Sequence, residues 1–389
     1  MKTESDPVLL LERLLSYPTV SSRPVDAIVA DLAQGAADLG GRVQVLESSP
    51  GKSNVVARFG PEGTNGLTIS GHMDVVPTDG QDWTSDPFKL SRRDGRLYGR
   101  GSADMKGFLA ATMAALSRIS LRDIKRELAL VWTHDEEVGC VGSGVLAKRW
   151  QDRDHALPSQ TWIGEPTDAR ICRMHPGHCT MEIRAVGRAA HSSRPSLGVN
   201  AISITQRVLA ELEGLADSWR EHKQYEDHLE APYTVMNVGM IQGGSAINIV
   251  PEICTLQVGF RPLPGLDASA LFDDIEDCLV RVRQHARFLG GDVQTRRVQT
   301  GPALLTPEGT PLQAALCPHA ASAEATAAPF ATDGGNLQEM GLSCLVFGPG
   351  SIDVAHRPDE YIDEAELRGC VDTVQTVVHQ MCMEAEAKA

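Results

Sequence analysis

Two histidines and a set of carboxylates stand in this 389-residue chain where a short apolar run has just ended or a turn begins. They are His72 and Asp74 in SGHMDVVP, Asp104 in GRGSADMKG, Glu136 and Glu137 in THDEEVG, Glu165 in IGEPTD, and His356 in GPGSIDVAHRPDE. Imidazole nitrogen and carboxylate oxygen are donors that zinc and its neighbours accept. Carboxylates packed this closely would raise one another's pKa, so the set is too acidic for one ion, and two divalent cations would neutralise it. A carboxylate bridging two metals about 3.5–4 Å apart is a common hydrolytic arrangement.

Spacing sharpens some of these candidates. Alternation along a strand puts His72 and Asp74 on one face, where the carboxylate could accept the second ring N–H of a metal-bound histidine. Glu136 and Glu137 are adjacent, so their side chains point apart, and one can hold metal while the other faces the water. Each site taken alone also has an ordinary reading. Asp104 could cap a helix, Glu165 could be a turn acid, the Glu136–Glu137 pair a solvated turn, and His72 and His356 surface histidines.

The elements that must position these residues alternate between strand and helix. Leu67–Ser70, Leu128–Trp132, Thr161–Ile163 and Ser343–Phe347 read as strands. Pro7 to about Tyr17 and Asp104 to about Ile119 carry helical spacing. Such alternation predicts an α/β domain with a mixed, mostly parallel sheet flanked by helices. In open sheets of this kind ligands bind beyond the carboxyl ends of the strands, where the candidate residues fall.

The middle of the chain differs. Strand (Thr180–Val186), helix (Ala201–Leu215), strand (Val235–Gln242), strand (Ile253–Arg261) and helix (Ala268–His285) form a β-α-β-β-α unit that can stand as a small α+β domain. The expected organisation is therefore one domain over residues 1–176 and 291–389, with residues 177–290 inserted into it. The alanine-rich stretch from Ala314 to Ala328, broken by Pro318, reads as helix and loop.

Composition narrows the function classes. With 42% hydrophobic and 22% charged residues the chain can bury a sizeable core. A net charge of −15 without a basic block offers no footprint for nucleic acid. The nine cysteines include no CxxC pair, which speaks for buried thiols in a reducing cytosol. The start, MKTESDPVLLLERLLSYPTV, lacks the basic-then-apolar pattern of a signal peptide. No apolar run reaches the ~18 residues of a membrane span, so the expected location is the cytoplasm. There is no GxSxG elbow for a serine nucleophile.

Together the segments SGHMDVVP, RLYGRGSADMKGFLAA, HDEEVGCVGS, IGEPT, GRAAHSSRPSLGVNA, GGSAINIVPE, RPLPG and FGPGSIDVAHRPDEY carry a family likeness. In order and spacing they resemble the acetylornithine deacetylase and succinyl-diaminopimelate desuccinylase branch of the dinuclear zinc aminoacylase and carboxypeptidase family, most of all acetylornithine deacetylase. The resemblance runs from residue 70 to residue 361. It implies a zinc-peptidase-like catalytic domain, an inserted lid and dimerisation domain, and a homodimer. It implies two Zn2+ per chain, with Co2+ or Mn2+ as possible substitutes, His72 and Glu165 completing one site and Glu137 and His356 the other. Asp104 would bridge the metals, Asp74 orient His72, and Glu136 act as general base. His191 would reach a neighbouring subunit's active site, with Asn248 and Arg261 as substrate contacts.

The implied substrate is a small N-acyl amino acid, N-acetylornithine first. Its α-carboxylate would suit Arg261, whose guanidinium can grip a carboxylate bidentately. One departure stands out: where the branch often carries Thr-Glu-small, this chain has Thr332-Asp333-Gly334-Gly335. Asp333 is the acid expected to meet a cationic substrate side chain, in a roomier or differently shaped pocket. A dipeptidase or carboxypeptidase with the same metals differs only in what fills the pocket. A binding protein that has lost catalysis would be expected to have lost ligands or the base, and here all are intact.

Overall fold

The computed structural model describes residues 4–150 and 156–384. The chain divides into two compact units. One comprises Met1–Met174, Leu305–Ala328 and Thr332–Ala389; the other comprises His175–Leu304 and Pro329–Ala331.

The first unit is built on a sheet whose centre is parallel. The strand Gly66–His72 runs parallel to Glu127–Thr133 on one side and to Gln160–Ile163 on the other, and Ser343–Val346 runs parallel to Gln160–Ile163. These strands read as continuous apolar runs because both their faces are covered; every residue of Gly66–His72 and of Glu127–Thr133 is buried. An antiparallel hairpin, Arg42–Ser49 with Lys52–Phe59, extends the sheet beyond Glu127–Thr133.

Against the parallel centre lies the helix Lys106–Ser117. Its sequence, KGFLAATMAALS, is rich in good helix formers, and it is buried on all sides from Lys106 to Leu116. Two glycines let it sit close. A Cβ at Gly71 would lie 2.7 Å from the Met105 side chain, and one at Gly164 would enter the Phe108 ring at 1.9 Å. Phe108 in turn packs against Trp162, and Trp162 against Phe347, with centroids 5.3 and 5.9 Å apart. Each of these glycines precedes a candidate ligand, His72 or Glu165, so the packing of this helix also fixes where those side chains emerge.

The second unit is a four-stranded antiparallel sheet in the order Val235–Gly243, Ile253–Arg261, His178–Val186, Asp292–Gly301. Helices Ala201–Glu221, Ala268–Cys278 and Val280–Phe288 pack with it around a separate apolar core. Two expectations change here. The single helix expected over Ala268–His285 is interrupted at Leu279. The strand Asp292–Gly301, expected to open the second half of the first domain, pairs with His178–Val186 and carries this unit on to Leu304, past the boundary expected at residue 290. The sequence reading also passed over the helices Asp26–Asp38 and Glu364–Val378 and the Arg42–Phe59 hairpin. Among the described residues no helix is long and apolar enough to cross a membrane.

Candidate metal centre

Three parallel strands deliver the first candidates from their carboxyl ends. His72 is the last residue of its strand, Glu136 and Glu137 follow Thr133 by a short turn, and Glu165 follows Ile163 by two positions. The His72 ring places Nδ1 2.9 Å from the backbone carbonyl of Asp74. A carbonyl only accepts, so Nδ1 carries the proton and Nε2 is the ligating nitrogen. That Nε2 faces Asp104 Oδ1 at 2.9 Å and Glu165 Oε1 at 3.6 Å.

Asp104 stands between two imidazoles. Its second oxygen lies 3.1 Å from His356 Nε2, and the same nitrogen is 2.9 Å from Glu137 Oε2. Each Asp104 oxygen thus faces one histidine, which is the geometry a bridging carboxylate requires. Asp104 lies just before the helix and does not cap it; the Asp104–Met105 peptide is cis. Ligand atoms of His72, Asp104 and Glu137, and separately of His72, Glu136 and Glu165, all lie within 4.8 Å of one another.

Asp74 orients His72 differently from the expectation. Its backbone carbonyl, not its carboxylate, takes the ring N–H; the carboxylate oxygen is 3.8 Å from Nδ1. The carboxylate accepts instead from the backbone N–H groups of Glu136 and Glu137, at 3.0 and 3.3 Å, and from the Ser21 hydroxyl at 2.7 Å. Asp74 therefore ties the His72 strand end to the Glu136–Glu137 turn.

Asp333 also departs from its expected role. It is buried, and its two oxygens accept from the Thr133 and Ser143 hydroxyls. Its carboxylate falls within 4.8 Å of Glu136 and Cys140 ligand atoms, and the Cys140 thiol donates to Glu136 Oε1 at 3.4 Å. With both oxygens held by these hydroxyls, Asp333 forms the wall beside Glu136.

Two residues outside the quoted candidates shape the centre. Glu360, in the same HRPDE run as His356, is buried, and its Oε1 accepts from the backbone N–H groups of Gly101, Ala103 and Asp104 at 3.0, 3.0 and 3.1 Å. Arg100 closes the other oxygen at 2.6 Å. The spacing from His356 to Glu360 was visible in the sequence, but nothing local tells a loop-tying carboxylate from a surface acid.

Electrostatics show what the cluster lacks. Burial drives Glu136 and Glu165 well above the ordinary carboxylate range, helped by the carboxylates around them. Burial, with Asp104 adding to it, pushes Glu137 up to about 7. Burial alone would pull His72 down, but Glu165 and Asp104 outweigh it and hold the imidazole well above its usual value. Hydrogen bonds to Asp104 and Glu137 raise His356 to about 10. The cluster thus gathers protons to offset its own negative charge. One oxygen, Glu137 Oε1, is buried without any hydrogen-bond partner. Divalent cations would satisfy that oxygen and replace those protons, so the donor set fits a metal centre.

In the second unit His191 is exposed. Its Nδ1 accepts from Ser193 N and Oγ at 3.1 and 2.7 Å, leaving the proton on Nε2. His191 bridges to Ile249, and Ser192 N donates to the Asn248 carbonyl at 3.0 Å, so the two glycine-rich segments meet. Arg261 does not join them. It ends the strand whose first residue, Ile253, pairs with Val186, just before the His191 segment. Nine strand residues separate the two ends by roughly 27 Å.

Imidazoles and carboxylates converge beyond the ends of parallel strands as a donor set suited to metal ions. The chain belongs to peptidase family M20/M25/M40, whose sequence model matches residues 68–380. Its fold is similar to that of an M20 family metallo-carboxypeptidase from Sulfolobus solfataricus, at 17% identity over 97% of this chain and 99% of that one, TM-score 0.79. It is similar to a tripeptidase from Staphylococcus aureus, at 21% identity over 97% and 98%, TM-score 0.74. A dinuclear metal binding peptidase of the M20 family from Bacillus subtilis matches at 14% identity over 96% and 97%, TM-score 0.65.

Proposed function

We propose that this chain is a two-zinc amidohydrolase that removes a small acyl group from an N-acyl amino acid. The observation that carries the metal assignment is the placement of one imidazole on each oxygen of Asp104. His72 and Glu165 complete one metal site; Glu137 and His356 complete the other. Cations bound there would polarise the amide carbonyl and lower the pKa of water. Glu136 is the general base: its carboxylate takes the proton of the attacking water and passes it to the leaving amine.

Substrate contacts support a homodimer. An N-acyl amino acid is about the size of a dipeptide and spans roughly 7 Å. His191 and Asn248 lie at one end of a strand and Arg261 at the other, so one copy cannot bring all three to one such substrate. Two copies can, with His191 and Asn248 supplied by the partner and Arg261 holding the α-carboxylate. The outer strand Val235–Gly243 carries exposed Met240 and Ile241, with exposed Ile247 and Ile249 in the following segment, and offers the pairing edge.

N-acetylornithine is the first substrate to test, on the likeness of GRGSADMKGF and GPGSIDVAHRPDEY. Asp333, shorter than the expected glutamate and already held by Thr133 and Ser143, keeps other N-acyl amino acids close behind. The similarity in fold to a tripeptidase and a metallo-carboxypeptidase makes a short peptide, tested first as a dipeptide, the second reading. A panel of N-acetyl amino acids, succinyl-diaminopimelate and dipeptides, ranked by kcat/KM, decides. An N-acyl amino acid at the top supports the proposal; a dipeptide at the top overturns it and leaves the metal centre standing.

A further inference from the structure

The two halves of the candidate metal centre are held by different means, and one half depends on a side-chain network that the metal ligands themselves do not include. His356 sits in an exposed loop with backbone φ of 62°, a left-handed conformation uncommon for a non-glycine residue. Its side chain is half-exposed, so packing alone does not fix it. What reaches its backbone is Gln81, whose Nε2 donates to the His356 carbonyl at 2.8 Å. Gln81 Oε1 accepts from Arg100 Nη2 at 2.6 Å and from Trp83 Nε1 at 3.0 Å. The other side of the Arg100 guanidinium donates to Glu360 at 2.6 Å and to the Arg357 carbonyl at 3.3 Å. Glu360 then holds the Gly101–Asp104 backbone through three N–H groups.

One continuous chain of hydrogen bonds therefore runs from the backbone of Asp104 through Glu360, Arg100 and Gln81 to the backbone of His356. Both ends are ligands of the same metal site, the one shared by Glu137, His356 and the second oxygen of Asp104. The other site shares Asp104, but its remaining ligands do not depend on this network: His72 and Glu165 leave paired parallel strands, and Asp74 holds the His72 ring.

We infer that Gln81 and Arg100 are positioning residues that set the affinity of the Glu137–His356 metal site and leave the His72–Glu165 site largely unaffected, while Glu360 ties them to the shared Asp104. The inference rests on the proposed two-metal reading. Groups that orient ligands from outside the coordination sphere typically change metal affinity about 10- to 100-fold when removed. Gln81 is the most informative position, because it reaches the His356 backbone without being a candidate ligand itself.

The test is a Co2+ titration of metal-stripped, full-length protein, following visible absorption bands and binding heat. His356→Ala and His72→Ala identify which of the two steps belongs to which site. Gln81→Ala should weaken the step that His356→Ala removes by about 10-fold or more and leave the other within about threefold. Gln81→Glu keeps the acceptor for Arg100 but loses the N–H to the His356 carbonyl, and should weaken the same step. Glu360→Gln should act in the same direction, with the metal-free melting temperature recorded beside it. Equal weakening of both steps, or no change in either for Gln81→Ala, overturns the inference. Wild-type protein that takes up a single ion fails the two-metal reading instead, a result seen before any variant is compared.

Discussion

The two sides of Asp104 are built from the same donor types and are held in opposite ways. On one side His72 and Glu165 are almost wholly buried, at 1% and 4% exposure, at the ends of strands whose register fixes them. On the other, the His356 side chain is 51% exposed and sits on a left-handed loop residue. A strand end is positioned by many cooperative hydrogen bonds, so no single deletion moves it far. A loop ligand is positioned by a few, and each can be removed alone. The same donor types are thus held robustly on one side of Asp104 and adjustably on the other.

Glu136 belongs with the strand-held side, where its carboxylate groups with His72 and Glu165. If it is the base and not a ligand, Glu136→Ala should lower kcat by about 10²–10⁴-fold while both sides keep their metals. Elemental analysis beside the rate checks this; near-normal turnover would remove Glu136 from the mechanism, and lost metal would make it a ligand.

Proton linkage separates the two sides in the metal-free protein. His356 is raised from 6.5 to about 10, so its contribution is present in full below pH 6.5 and is lost as pH rises through about 10. Glu137 is raised from 4.5 to about 7; the folded state holds its proton more tightly, so its contribution is lost as pH climbs from about 4.5 to about 7. Both have the same sign, whereas buried Lys106, lowered from 10.5 to about 7, contributes with the opposite sign over the upper part of the window. The readout is therefore the difference between stripped wild type and stripped His356→Ala: the wild type's stability advantage should shrink as pH rises from about 6.5 to about 10. A difference that stays constant or grows across that range would contradict the assignment.

The smallest effect concerns Asp333. Burial is the main cause of the raised Glu136 pKa, and Asp333 is one of the carboxylates that add to it. Asp333→Asn removes a like charge, so Glu136 should ionise at lower pH and the acid limb of kcat/KM should move down. The change should be the same for N-acetylornithine and for a neutral N-acetyl amino acid. Selective loss of N-acetylornithine would restore Asp333 as a substrate contact.

Much of the strand-held side was legible in the sequence, because apolar runs ending in SGH and IGE combine a strand signal, a glycine for close helix packing and a ligand. The candidate ligands on both sides were legible through their motifs. What was not legible is what holds them. Asp74 pairs with the backbone of Glu136 and Glu137, more than sixty positions away, and Gln81 reaches His356 across 275. Such contacts depend on the register of the folded sheet, which no local spacing encodes. The boundary after residue 290 was misplaced for a related reason: Asp292–Gly301 is an ordinary strand by composition, and only its pairing with His178–Val186 assigns it to the second unit.

The central claim is a two-ion centre around Asp104 with unequal halves, and metal stoichiometry tests it most directly. Stripped protein reconstituted with Zn2+ and passed through a desalting column should retain two ions per chain and regain amide hydrolysis. His356→Ala and His72→Ala should each retain about one, each losing the ion on its own side of Asp104. A single ion in the wild type, or hydrolysis that survives complete stripping, would contradict the account.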